Sequence, residues 1–282
     1  MIFSYFSKTE ANDVFCFYEI KTMLFFLLIG ILFFFVIVFR IIEPIYLMLF
    51  NKPLFIFWHP VLKKLDPEDK ILLRREFSYY CNLSVRKKGY FEHRVESFIE
   101  HYNFEGKEIE VTREMKLIIA GTYVMLTFGM RNYLLHLFEN IIIYPSVYYS
   151  TINQEYHKGE YNPRMKTIVF SWEDFLSGHK TKDNINLGLH EFTHVLHFHS
   201  KKSSYPGAVI FYDEFTEIEK YFDQEELTNK LKEKKYFREY AYTNKFEFLA
   251  VILEHFFETP EIFKKEFPEL YQNVKTMINF KE

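Results

Sequence analysis

The strongest pattern along the chain is an uninterrupted apolar run. From Met23 to Phe39 it reads MLFFLLIGILFFFVIVF, with neither charge nor proline. As a helix this run spans roughly 25 Å, slightly short of the ~30 Å hydrocarbon core of a bilayer. Lys21 and Arg40 flank it, and Arg40 can snorkel toward an interface. The pattern predicts one transmembrane helix over residues 23–40, after an N-terminal tail at 1–22. A signal peptide fits less well, because the run is long, the leading segment is not basic, and no small-residue cleavage site follows. Residues 41–60, IIEPIYLMLFNKPLFIFWHP, stay apolar but are interrupted by Glu43, Pro44 and Pro53. With Tyr46, Phe55, Phe57 and Trp58 as anchors, they are expected to lie along the membrane surface.

From residue 61 to residue 282 the pattern changes to that of one soluble domain. Asp66 as N-cap and Pro67 at the first helical position open a helix in LDPEDKILLRREFSYY. VESFIEHYNF predicts a second short helix, KEIEV a short strand, and REMKLIIAGTYVMLTFG a long central helix. IIIYP and KTIVFSW predict strands, the second rich in β-branched and aromatic residues. Beyond the Asn186–His199 segment come a charged helical stretch from Asp213 to Phe237, the apolar helix NKFEFLAVILEHFFETP, and two helices opened by Pro260 and Pro268. Helices dominate over a few short strands, so the fold class is α+β.

Composition adds little that is not local. The 34 Phe and 21 Tyr are concentrated partly in the apolar run. A net charge of −3 suggests no nucleic-acid partner. Cys16 and Cys81 fall on opposite sides of the predicted span and cannot pair within one chain. Lys8 and Lys21 on one side of that span balance Arg40 and Lys52 on the other, so basic residues leave its orientation open.

The candidate chemistry lies in NLGLHEFTHVLHFH, Asn186 to His199. His190, Glu191 and His194 form H-E-x-x-H. Residues four apart share a helix face, so both imidazoles can address one metal ion while Glu191 stands beside it as a general base. Ile185, Leu189, Phe192, Val195 and Leu196 are expected on the opposite, packed face. A catalytic zinc site needs a third protein ligand and an open position. His197 shares the face of His190, but three ligands in a row on one straight helix do not close a tetrahedron. Glu247 and Glu254 remain: two carboxylates seven apart in an otherwise apolar helix, where burial is costly without a partner. Spacing alone does not separate them.

Several segments together resemble the zinc peptidases typified by Mlc titration factor A, over roughly residues 60–280. These are IIIYP, IVFSWEDFLSG, NLGLHEFTHVL and, most specifically, EYAYTNKFEFLAVILEHFFETPEIFKKEFPELYQ. The resemblance implies a mostly helical, zincin-like metallopeptidase domain with a small mixed sheet. It implies Zn2+ held by His190, His194 and Glu247, with Glu191 as catalytic base and Glu254 in a supporting or core position. It also matches Tyr240 to a tyrosine that stabilises the oxyanion. His197 departs from the pattern, where the family commonly has Asp. Peptide hydrolysis is the implied activity, with a peptide or protein as substrate. The alternative is a regulatory binding protein that sequesters a transcriptional repressor or other partner, with a structural or vestigial zinc site. Resemblance to cytosolic proteins favours the cytoplasmic side of the cell membrane for the domain. The strand at Ile168–Phe170 is expected either to be an edge that receives a peptide by backbone pairing or to be interior.

Overall fold

The structure is a computed structural model. It describes residues 3–150 and 154–281, with side chains from Phe17 onward except at positions 225–227 and 230. The side chain of Cys16 lies outside this set. The chain divides into two units, Met1–Leu54 and Phe55–Glu282.

The first unit is helical from Phe3 to Phe50: α1 (Phe3–Ile37), a π-helical segment (Val38–Ile42) and α2 (Glu43–Phe50). Its stretch from Phe17 to Phe50 is long and apolar enough to cross a membrane. Pro44, expected to interrupt the helix, sits in the first turn of α2 instead. A proline lacks an N–H and its ring clashes with the carbonyl four residues back, here Arg40. The wider π turn falls at that carbonyl and absorbs the misfit. The helix stops at Asn51, which takes a left-handed conformation (φ 50°).

The second unit runs α3 (Pro67–Glu76), α4 (Ser78–Asn82), α5 (Val85–His101), β1 (Asn103–Gly106), α6 (Arg113–Thr127), β2 (Asn140–Tyr144), β3 (Tyr148–Ser150), β4 (Glu155–His157), β5 (Gly159–Asn162), β6 (Thr167–Ser171), α7 (Trp172–Lys180), α8 (Leu187–Ser200), α9 (Pro206–Asp223), α10 (Glu225–Glu233), a 3-10 turn (Glu239–Tyr242), α11 (Lys245–Glu258), α12 (Pro260–Glu266) and α13 (Pro268–Met277). It is an α+β fold with a small mixed sheet of order β1-β2-β6-β5. The first three strands are parallel, and β5 is antiparallel to β6. β3 and β4 form a separate hairpin.

Several expectations shift. The first strand lies at Asn103–Gly106, before KEIEV, and that segment is a turn instead: Glu108 is left-handed (φ 61°), and the Ile109 carbonyl folds to within 1.9 Å of where a Cβ on Gly106 would sit. The charged stretch is two helices, because the chain is extended at Gln224. Phe57, expected at a membrane interface, stacks on Tyr90 with ring centroids 4.7 Å apart, and the buried Arg94 guanidinium lies 5.1 Å from its centre. The Ile168–Phe170 strand is interior, between β2 and β5, so the sheet edge on that side is β5. β6 pairs on both sides because its apolar side chains, Ile168 and Phe170, are buried in the core.

Helix α8 packs on β5 and β6, on α6 and α7, and on α9 and α11. Leu189, Phe192, Val195 and Leu196 are buried as expected, whereas Ile185 precedes the helix and is exposed. Gly188 sets how closely α8 approaches its neighbours. A Cβ there would lie 2.7 Å from the Phe175 ring and 3.1 Å from Thr122 Cγ2. Gly188→Ala should cost a net ~1–2 kcal/mol, since overpacking outweighs the better helix propensity of alanine. Urea denaturation of the full chain in detergent measures this, and an unshifted midpoint would show that the contact is not tight.

Candidate metal centre

Two helices bring the candidate ligands together, and an asparagine caps each. Asn186 Oδ1 accepts from the Leu189 amide (3.0 Å), which starts α8 four residues before His190. Asn244 Oδ1 accepts from the Phe246 and Glu247 amides (2.9 and 3.1 Å), which starts α11. Glu247 thus stands in the first turn of α11, where the free amides and the helix dipole favour a carboxylate.

His190, His194 and Glu247 each offer a ligand atom, and these atoms lie within 4.8 Å of one another. Among the described residues this is the group of His, Cys, Asp and Glu side chains that could hold a metal ion. His190 Nε2 is 2.9 Å from Glu247 Oε2, and His194 Nε2 is 3.6 Å from Glu247 Oε1. The other nitrogen of the same ring, His190 Nδ1, is 2.8 Å from Glu254 Oε1. A proton on Nδ1 donated to Glu254 leaves Nε2 a lone pair. The short Nε2 to Oε2 contact lacks hydrogen-bond geometry, and Oε2 is buried without a hydrogen-bond partner. Two acceptors facing each other at 2.9 Å repel unless a cation lies between them. The donor set therefore fits a metal ion, two imidazole nitrogens and one carboxylate oxygen being a common set for zinc.

Electrostatics agree. Burial opposes a charge on His190, but Glu247, Glu254 and Glu191 outweigh it and raise His190 to about 10. Burial opposes ionisation of Glu247, yet His190 and His194 hold it well below the usual carboxylate range. Both shifts show that the cluster favours positive charge at this point.

Glu191 is buried beside this cluster, and burial is the main cause that raises its carboxyl above the usual range, against the pull of His190 and His194. The Tyr161 backbone on β5 also acts to lower it. The strand passes so close that a Cβ on Gly159 would meet Leu187 Cδ1 at 2.6 Å and Glu191 Oε1 at 3.0 Å. Ser171 N donates to Lys158 O (2.6 Å). In an antiparallel pair this alternation turns the backbone groups of Gly159 and Tyr161 away from β6, toward α8 and the cleft.

Tyr240 is half-exposed on the 3-10 turn, its ring 5.9 Å from that of His190 and its hydroxyl within the influence of Glu247. Burial and the two nearby glutamates raise its phenol well above the ordinary value. His197 does not join the cluster. It is buried between Phe215 and Phe246, at ring distances of 4.4 and 4.7 Å, with neither ring nitrogen hydrogen-bonded and its pKa lowered by burial to about 4.

Two supports were not apparent from sequence. Arg238 forms a two-pronged ion pair with Glu254, Nη2 to Oε1 at 3.0 Å and Nη1 to Oε2 closer still, and also donates to the Asn184 carbonyl. Glu258 accepts from the Asn184 amide (2.6 Å) and from Asn186 Nδ2 (3.1 Å), which ties the end of α11 to the start of α8. No local signal marks Arg238.

A cleft of about 480 Å³ opens on the Glu191 side, lined among others by Gly159, Asp174, Asp183, Arg238 and Tyr240. A second pocket of about 320 Å³ adjoins His194 and Glu247. Comparison with known families matches residues 61–278 to the family described as glucose-regulated metallo-peptidase M90. No similar sequence was found among the curated proteins.

Glu254 should act on the metal through His190. Glu254→Gln is expected to weaken metal affinity about 10- to 100-fold, as for other partners of ligating histidines. Competition with a chromophoric chelator measures it, and unchanged affinity would reduce Glu254 to a core ion pair.

Proposed function

The chain belongs to the glucose-regulated metallo-peptidase M90 family, and on that premise we propose that it is a membrane-anchored zinc peptidase with its catalytic residues at the α8–α11 contact. What carries this reading is the 2.9 Å approach of two acceptors, His190 Nε2 and Glu247 Oε2, within a buried H-E-x-x-H helix. His190, His194 and Glu247 would hold the ion. A zinc ion bound there supplies a Lewis acid that polarises a peptide carbonyl and lowers the pKa of a bound water toward ~7.

The chain's own residues do the rest. Glu191, raised by burial, takes a proton from the attacking water and delivers it to the departing amine. Tyr240, whose phenol stays protonated, donates to the oxygen that gains charge in the tetrahedral state. A peptide lies along β5, pairing with the outward backbone groups of Gly159. Glu254, pinned by Arg238, keeps the proton of His190 on Nδ1. The apolar stretch Phe17–Phe50 crosses the membrane once, and the resemblance to cytosolic proteins favours a cytoplasmic face for the catalytic unit.

Full-length protein in detergent should carry about one zinc per chain and hydrolyse peptides. Glu191→Gln should keep the zinc and lose activity by at least ~100-fold, the usual contribution of a general base. Metal analysis with a peptide mixture tests both. Hydrolysis unaffected by the substitution sinks the mechanism. Stoichiometric zinc with no hydrolysis by the wild type favours the alternative, a binding protein that sequesters a regulatory partner. Protease protection in intact cells reports which side the catalytic unit faces.

A further inference from the structure

The two hollows beside the metal centre differ in chemistry. The larger cleft carries Asp174, Asp183, Arg238 and Glu254 in its lining and is flanked by Glu191. The smaller pocket, on the side of His194 and Glu247, is lined by rings. Phe198 and Phe246 come from the two ligand-bearing helices, and Tyr161 from the end of the edge strand. Tyr161 and Phe198 meet edge to face at 6.0 Å. The ammonium groups of Lys201 and Lys202 lie over the Phe246 and Phe198 rings, at 5.2 and 4.6 Å, and leave the opposite ring faces free to pack. His197 underlies the pocket as a neutral ring packed against Phe246.

We propose that this pocket receives the side chain on the acyl side of the scissile bond, and that it selects a large apolar, preferably aromatic, residue there. This rests on the peptidase reading above. The direction follows from the proton path. Glu191 must reach the departing nitrogen, so the amine side of the bond lies over Glu191 and its polar cleft. The acyl side then extends past His194 and Glu247. The pocket shares those two ligands in its lining, so a side chain seated in it stays attached to a carbonyl at the metal. Its volume of about 320 Å³ lies near the lower end of ligand sites, which run from roughly 300 to 1,000 Å³. That suits one side chain rather than a folded segment. Ring walls favour ring occupants, since paired aromatic rings gain about 0.5–1.5 kcal/mol beyond area burial.

The test uses zinc-loaded full-length protein in detergent and a degenerate peptide library, with cleavage positions read by mass spectrometry. Matched quenched peptides that differ only in the acyl-side residue then give kcat/KM. Phe should exceed Ala by at least about tenfold, within the range a hydrophobic pocket achieves. Phe198→Ala, with its zinc content checked, should narrow the ratio to less than about threefold. Cleavage with no acyl-side preference, or with a preference set by the amine-side residue, overturns the subsite and leaves the peptidase reading standing. A Phe198→Ala protein that keeps its zinc and an unchanged ratio also overturns it. No cleavage of any peptide by stoichiometrically loaded protein removes the peptidase reading and the subsite together. If the variant fails to fold, the wild-type panel still decides.

Discussion

Everything around the candidate centre depends on one electrostatic constraint: acceptors aimed at a common point need a cation there. His190 Nε2 and Glu247 Oε2 are 2.9 Å apart with no proton geometry between them. In water such a contact would simply open. Here it is held by two helices whose first turns are fixed by Asn186 and Asn244 and whose apolar residues, Leu189, Phe192, Leu249 and Leu253 among them, are buried in the core. Burying that apolar surface supplies the free energy that keeps an unfavourable polar arrangement in place. Binding a cation then removes the repulsion, and the fold is arranged in advance for it.

The supports follow from the same constraint. An imidazole can present Nε2 as a lone pair only if its proton is kept on Nδ1, and Glu254 does this at 2.8 Å. A carboxylate buried in α11 is itself costly, and Arg238 offsets that cost while also holding the Asn184 carbonyl. Asn184 and Asn186 in turn bind Glu258, three turns beyond Glu247 and one beyond Glu254. The segment before α8 and the far end of α11 are therefore fastened to each other. A change at Arg238 acts on the metal through two intervening groups rather than by contact.

Much of this was legible in the sequence, in proportion to how far each feature rests on local rules. The H-E-x-x-H spacing and the helices of the ligands depend on near neighbours along the chain. The apolar N-terminal helix is equally local, although it begins at Phe3, within the expected tail, and continues through Pro44, where a π turn takes up the clash. Glu247 and Glu254 could not be separated by spacing. Two turns apart on one stripe, they approach opposite nitrogens of the same ring, a distinction that only the placement of α8 against α11 creates. The family resemblance had assigned Glu247 as ligand. The sheet misled in an instructive way. TIVFS is the most strand-like segment and lies inside the sheet, where both of its neighbours are strands. The edge beside the cleft is GEYN, polar and short, as edges are when they must not pair indiscriminately. Its glycine reflects the approach of Glu191, not a turn.

The charge balance of the buried cluster bears on which ion belongs there. Glu191, Glu247 and Glu254 are three carboxylates, and Arg238 is the cation that pairs with one of them. With both histidines neutral and all three acids ionised, the cluster lacks two positive charges. A divalent ion restores neutrality, whereas a monovalent ion leaves a buried negative charge and a trivalent one leaves a positive charge. Among divalent ions, two imidazole nitrogens with a single carboxylate are a poor match for calcium and magnesium, which take oxygen ligands in larger number. Copper and nickel bind nitrogen strongly but prefer square-planar or tetragonal sets. Two imidazole nitrogens from α8 and a carboxylate from α11 suit a divalent ion that accepts nitrogen and oxygen together, with Glu191 and Tyr240 beside them. Zinc, the ion proposed for this site, is one that meets both the charge and the donor set.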